Sequence, residues 1–196
     1  MKQLLFHFPI LCLFLYACQT EPQSQEKQVT PTPDNDCLFD IEQIGKGADK
    51  GSSVEFIGLF ENIENTGEHS YGYAISLWMI DQQILGFLSI YSGSMEPDRQ
   101  GPVIRGQIHQ DSLSFVAWTK MNKGTGGWEG SEVQLFSFTG KKGTKKLSGQ
   151  LSFFHCDKKE AEKMENLELP LSDLWDFKSF PNLSAWKDEY AYRLAY

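Results

Sequence analysis

From Val54 to Cys156 the chain alternates apolar runs with turn-forming residues at intervals of about 8 to 12 residues, the rhythm of antiparallel strands in a sandwich or barrel. The runs are "VEFIGLFE" (Val54 to Glu61), "YGYAISLWMI" (Tyr71 to Ile80), "ILGFLSIYS" (Ile84 to Ser92), "VIRGQI" (Val103 to Ile108), "SLSFVAWTK" (Ser112 to Lys120), "EVQLFSFT" (Glu132 to Thr139) and "LSGQLSFFHC" (Leu147 to Cys156). In the second run Tyr73, Ile75, Leu77 and Met79 fall on one face, with Ala74, Ser76 and Trp78 on the other. That is a period of two, the alternation of a strand and not of a helix. Leu113, Phe115 and Ala117 separate in the same way from Ser114, Val116 and Trp118. The links "DQQ" (Asp81 to Gln83) and "HQD" (His109 to Asp111) are too short for a parallel crossover, so neighbouring strands run antiparallel as a meander. Gly86, Gly106 and Gly149 inside the runs predict bulges or sharp bends that curl the sheet toward closure. The expected fold is therefore mainly β: an antiparallel meander of about seven to eight strands, forming a small barrel or sandwich with short C-terminal helices.

After Cys156 the pattern changes. In "DKKEAEKMENL" (Asp157 to Leu167), Asp157 is placed as an N-cap and Glu160 as its reciprocal partner, which predicts a short helix. The tail from Trp175 to Tyr196 is aromatic-rich, and Leu183, Trp186, Tyr190 and Leu194 share one helical face. Either the protein's own sheet or a partner's groove has to cover that face.

The N-terminus carries one early positive charge at Lys2 and then the apolar run "LLFHFPILCLFLYA", which Gln19, Thr20 and Glu21 bring to an end. A membrane-spanning helix needs about 20 apolar residues, so this shorter run reads as a secretion signal. Its last residues, Leu15, Tyr16, Ala17 and Cys18, resemble the lipobox of bacterial lipoproteins. The resemblance covers only this N-terminal stretch. It implies that residues 1–17 are a signal peptide and that Cys18 is lipidated as the first mature residue. Gln19 after that cysteine implies the outer membrane of a cell envelope, with the chain anchored through its lipid. Several acyl chains hold firmly where one holds only marginally. The stretch from Gln19 to Asp36, "QTEPQSQEKQVTPTPDND", has Val29 as its only large aliphatic residue and cannot build a core. Residues 18–36 are thus expected to be a lipidated start and a disordered tether, and residues 37–196 one β-rich domain with a helical tail.

The chain has 18 Lys and Arg against 26 Asp and Glu. That balance argues against a nucleic-acid partner, which needs a concentrated basic surface. Cys12 leaves with the signal and Cys18 is the lipid candidate, which leaves Cys37 and Cys156. In an oxidising compartment these two are expected to form a disulfide, with two buried thiols as the alternative. They lack the nearby His or Cys set of a metal site.

Between two strands, the loop "KGTGGWEGSE" (Lys123 to Glu132) sets Trp128 and Glu129 among glycines. A tryptophan at a barrel mouth can stack on a sugar or an apolar ligand; alternatively Trp128 folds back onto the sheet edge. The loop lacks the Gly-Lys-Ser/Thr ending and following helix of a phosphate cradle. The loop "GSMEPDRQGP" (Gly93 to Pro102) offers Glu96, Asp98 and Arg99 but reads more readily as a solvated turn. "KKGTKK" (Lys141 to Lys146) suits either anionic headgroups or a solvated hairpin end that discourages edge-to-edge pairing. His69, His109 and His155 form neither a Ser-His-Asp pattern nor a His-rich metal signature, so no catalytic residue, metal or cofactor is assigned.

The strand count, in-strand glycines and C-terminal helix resemble the lipocalin-type small β-barrels, and that resemblance implies a binding role. The leading expectation is a non-enzymatic binding module for a small apolar or sugar-like ligand, at a barrel mouth bordered by Trp128 and Glu129. The alternative is an assembly lipoprotein that docks another envelope protein through its C-terminal aromatic helix.

Overall fold

The structure is a computed structural model that describes residues 36–121, 133–156, 161–174 and 176–194. Among the described residues nine strands follow in order: β1 (Glu55–Glu61), β2 (Glu64–Asn65), β3 (Ser70–Ile80), β4 (Gln83–Ser92), β5 (Arg99–His109), β6 (Ser112–Met121), β7 (Val133–Lys142), β8 (Lys146–His155) and β9 (Ala161–Ser172). Each of β3 to β9 pairs with the next, and β1 pairs with both β9 and β3, so eight antiparallel strands close into a barrel. The two-residue β2 is appended to β3 beside that ring. Two tight turns link the meander as the short loops require, with Asp81 and Gln110 each at φ 56°.

Alternation along the strands sorts the side chains. Ile75, Leu77, Ile84, Leu88, Val103, Leu113, Phe115, Phe136, Phe138, Leu147, Leu151, Leu167 and Leu169 fill the barrel interior, where Phe115 and Phe138 stack at 5.2 Å between ring centres. Gly86 sits at φ 158°, where an added Cβ would lie 2.1 Å from the carbonyl oxygen of Ser76. It falls within the register irregularity between Gln83 and Phe87. Gly149 keeps register, but its missing side chain leaves room for Phe138, whose ring tip would lie 2.6 Å from a Cβ. Gly106 also stays in register, opposite Phe115, next to a shift between Val103 and Arg105.

The helix expected over Asp157 to Leu167 is not formed: residues from Ala161 onward are the barrel strand β9, and residues 157–160 lie outside those described. Glu and Lys here favour a helix locally, but β8 has an open edge and Leu167 and Leu169 alternate into the core opposite Gly149 and Leu147. Burying those leucines and pairing a whole strand edge outweighs a propensity difference of a few tenths of a kcal/mol per residue.

The barrel's outer wall is apolar on one side and is covered by the chain's two flanking segments. Trp78, Ile80, Leu85 and Phe87 point outward and pack under Ile44, Val54, Phe180, Trp186 and Leu194. Helices α1 (Leu183–Glu189) and α2 (Ala191–Leu194) carry the last two of these, and Asn182 caps α1 by accepting from the Ala185 amide at 2.9 Å. Trp186 stacks on Phe87 with ring centres 5.7 Å apart, so the protein's own sheet covers the aromatic helical face. At the other end of the chain, Cys37 and Cys156 are disulfide-bonded with Cα atoms 5.7 Å apart. Asp36, which closes the expected tether, is buried and pairs with Arg105 at 2.8 Å. Phe39 packs on Trp118 at 5.8 Å, so the incoming segment lies along the outside of the barrel.

Candidate functional site at the barrel mouth

One end of the barrel gathers the starts of β3, β5, β7 and β9 with the ends of β4, β6 and β8. Register decides which side chains meet there. Tyr73, Ile90 and Arg99 stand directly opposite one another on β3, β4 and β5. On the facing wall Phe136 opposes Phe153, and Leu151 opposes Glu165. Opposed residues share a face, and all seven point inward around a cavity of about 100 Å³. Below it the interior is filled by Leu77, Leu88, Val103, Phe115 and Phe138, so the cavity is a shallow mouth and not a deep calyx.

The polar side chains of this mouth are unevenly satisfied. The Tyr73 hydroxyl donates a short hydrogen bond to the Glu165 carboxylate. Burial, and then that carboxylate, push the phenol well above its usual range against the opposing pull of Arg99, so Tyr73 keeps its proton. Arg99 has its Nε buried with no hydrogen-bond partner among the described residues. Nearer the rim, Gln134 Nε2 approaches His155 Nδ1 at 3.4 Å while its Oε1 is buried with no hydrogen-bond partner among the described residues. The His155 ring meets Phe153 edge-on at 5.6 Å. The arrangement sets an aromatic and aliphatic wall (Ile90, Phe136, Leu151, Phe153) against three polar side chains, which suits the end group of a small amphiphilic molecule. Among the described residues, no group of three or more His, Cys, Asp or Glu is arranged to hold a metal ion.

Of the residues singled out in the sequence, Cys37 and Cys156 come together; Cys18, Trp128 and Glu129 lie outside the described residues. The strands that flank residues 122–132, β6 and β7, end and begin at the mouth. Asp98 is a turn residue: its carboxylate accepts from the Ser92 amide, from the Ser92 hydroxyl at 2.7 Å and from the Ser94 hydroxyl at 3.0 Å. Burial alone would raise its pKa, but those bonds outweigh it and hold the carboxyl below its usual range. Arg99, the next residue, turns into the barrel. His69 and His109 are exposed, the former with Nδ1 against the Gly93 carbonyl at 2.5 Å. In the lysine-rich hairpin, Lys146 pairs with Glu168 at 3.0 Å. The alternation along the strand puts Tyr73 on one face with Ile75, Leu77 and Met79 without saying which face is inside, and Glu165 falls within the helix expected over Asp157 to Leu167. The alternation of Glu165 with Leu167 and Leu169 is the signal that marks an acid in an inward row.

A second, open hollow of about 650 Å³ lies at the seam where β1 meets β9, bordered by Glu61, Tyr91, Met95, Leu171 and Leu174. Comparison of the chain with protein-family models, with curated proteins and with solved structures finds no match.

Proposed function

We propose that this chain is an envelope lipoprotein, anchored at Cys18 and directed to the outer membrane, whose barrel is a non-enzymatic module binding a small apolar or sugar-like ligand. The observation that carries the reading is the mouth cavity, where Tyr73, Glu165 and Arg99 converge on a wall made by Ile90, Phe136, Leu151 and Phe153. An apolar surface with a few oriented polar groups is the usual make-up of a ligand site. Its volume falls below the roughly 300–1,000 Å³ of sites for drug-sized molecules, which favours a small ligand or the end of a longer one. The signal and lipobox residues support the anchor, and the disulfide supports an oxidising compartment. The rival role, docking of another envelope protein through the C-terminal helix, has less support, because Trp186 and Leu194 are spent on the barrel's own wall.

Native mass spectrometry of the full processed chain, purified gently from its host envelope, tests the binding role. A small adduct lost on denaturation, and absent from a Leu151→Trp variant that fills the mouth, is the expected result. A bare protein whose mouth resonances also ignore added glycosides, alcohols and acids overturns it.

A further inference from the structure

Resting on the mouth as a ligand site, we infer that the group bound there is a carboxylate, held by Arg99 with its apolar stem against Phe136, Phe153, Leu151 and Ile90. The single hydrogen of Tyr73 is committed to Glu165, and a carboxylate at Glu165 donates none. The cavity's uncommitted donors therefore belong to Arg99, and its Nε is buried with no partner among the described residues. A buried guanidinium N–H without an acceptor is costly, and an acceptor with negative charge relieves it best.

Asp98, adjacent in the chain, feels the charge of Arg99, but its oxygens are already engaged by Ser92 and Ser94. Glu165 stands on β9, on the far side of the ring from β5, where it receives the Tyr73 hydrogen. One guanidinium balances one negative charge, and its planar fork matches the two oxygens of a carboxylate. A phosphate ester would bring a larger tetrahedral group and a second negative charge into a space of about 100 Å³ shared with Glu165. A neutral polyol would offer the buried Arg99 Nε an acceptor without negative charge, the weaker of the two kinds of hydrogen bond. The four apolar lining residues take the carbon stem, which makes the ligand class a short-chain or end-bound apolar acid.

The test is titration of the full processed chain in nanodiscs with hexanoate, 1-hexanol, hexyl phosphate and a methyl glucoside, read by amide resonances of Tyr73, Arg99 and Glu165. Hexanoate is expected to bind at least about tenfold tighter than 1-hexanol, and Arg99→Gln to bring the ratio of the two affinities close to one. Arg99→Lys, which keeps a cation in the mouth, is expected to retain part of the preference and guards against a folding defect in the first variant. Equal binding of acid and alcohol, or tighter binding of the phosphate or glucoside, overturns the carboxylate and leaves the mouth site standing. Shifts from none of the four probes overturn both.

Discussion

Tyr73 on β3 donates to Glu165 on β9 just beyond the end of β1, whose last residue, Glu61, stands opposite Ala74. There β1 holds β9 by only two registered pairs, Leu59 with Ser172 and Phe60 with Leu171. The side-chain bond therefore ties the two walls together where the backbone ladder is shortest, and it forms one flank of the mouth. Tyr73→Phe removes the donor and leaves the carboxylate in place, which is expected to cost about 1–2 kcal/mol in urea denaturation. Glu165→Gln keeps an oxygen that accepts the Tyr73 hydrogen and should cost less. Wild-type stability in Tyr73→Phe would show that the seam does not depend on this bond.

The Cys37–Cys156 disulfide closes a sequence separation of 119 residues. In the chain-entropy account, a loop of that size stabilises by up to about 4–5 kcal/mol, because it removes conformations from the unfolded chain. The bond also fixes the segment that carries Phe39 against Trp118 and Ile44 against the wall of Trp78. The double variant Cys37→Ser, Cys156→Ser is expected to unfold at lower denaturant, and reductant should shift the wild type to meet it. If reductant leaves the wild-type midpoint unmoved, the bond carries no such constraint.

What the sequence made legible follows from where a single physical signal dominated. Tyr73, Ile75 and Leu77 against Ser76 and Trp78 is a clean alternation, and the tight turns at Asp81 and Gln110 leave the meander no other direction. β9 was hidden because its first half is Glu, Lys, Met and Asn, helix-favouring or indifferent, and only the open edge of β8 selects a strand. β2, two residues long, has no periodicity to read. At the mouth, Arg99 was visible within a polar turn, but its inward direction depends on register with Ile90, and its closeness to Tyr73 and Glu165 depends on closure of the ring. The face of Leu183, Trp186, Tyr190 and Leu194 was legible as a helical stripe; its cover was not, because Trp78 and Phe87 look like ordinary strand residues until the inner row is known.

That cover makes a sharp prediction at Trp186, which is 0% exposed and packs on Trp78 and Phe87. Trp186→Ala leaves a cavity in the outer-wall cluster and is expected to cost about 3–5 kcal/mol in guanidinium denaturation. Deleting Leu183 to Tyr196 should do at least as much damage, exposing Trp78 and quenching or red-shifting tryptophan fluorescence. A loss below about 1 kcal/mol in Trp186→Ala would mean that the helix contributes little to the barrel and is free for another role.

Three tyrosines tie stability to alkaline pH. Burial raises Tyr73 and Tyr91, the nearby carboxylates of Glu165 and Glu61 adding to it, and burial takes Tyr190 up to about 12. In the unfolded chain each loses its proton near pH 10. Below that pH both states hold the proton and the contribution is fully present. Above it the unfolded state binds fewer protons than the folded one, so stability falls as pH climbs toward the folded values. Denaturation midpoints should therefore hold up to about pH 9 with respect to these groups and decline above about pH 10, with a shallower decline in Tyr190→Phe. Absorbance of phenolate near 295 nm supplies the independent reading, since these three rings are expected to ionise only as the barrel opens. Full ionisation of every tyrosine near pH 10 in a protein that still shows native circular dichroism would contradict it.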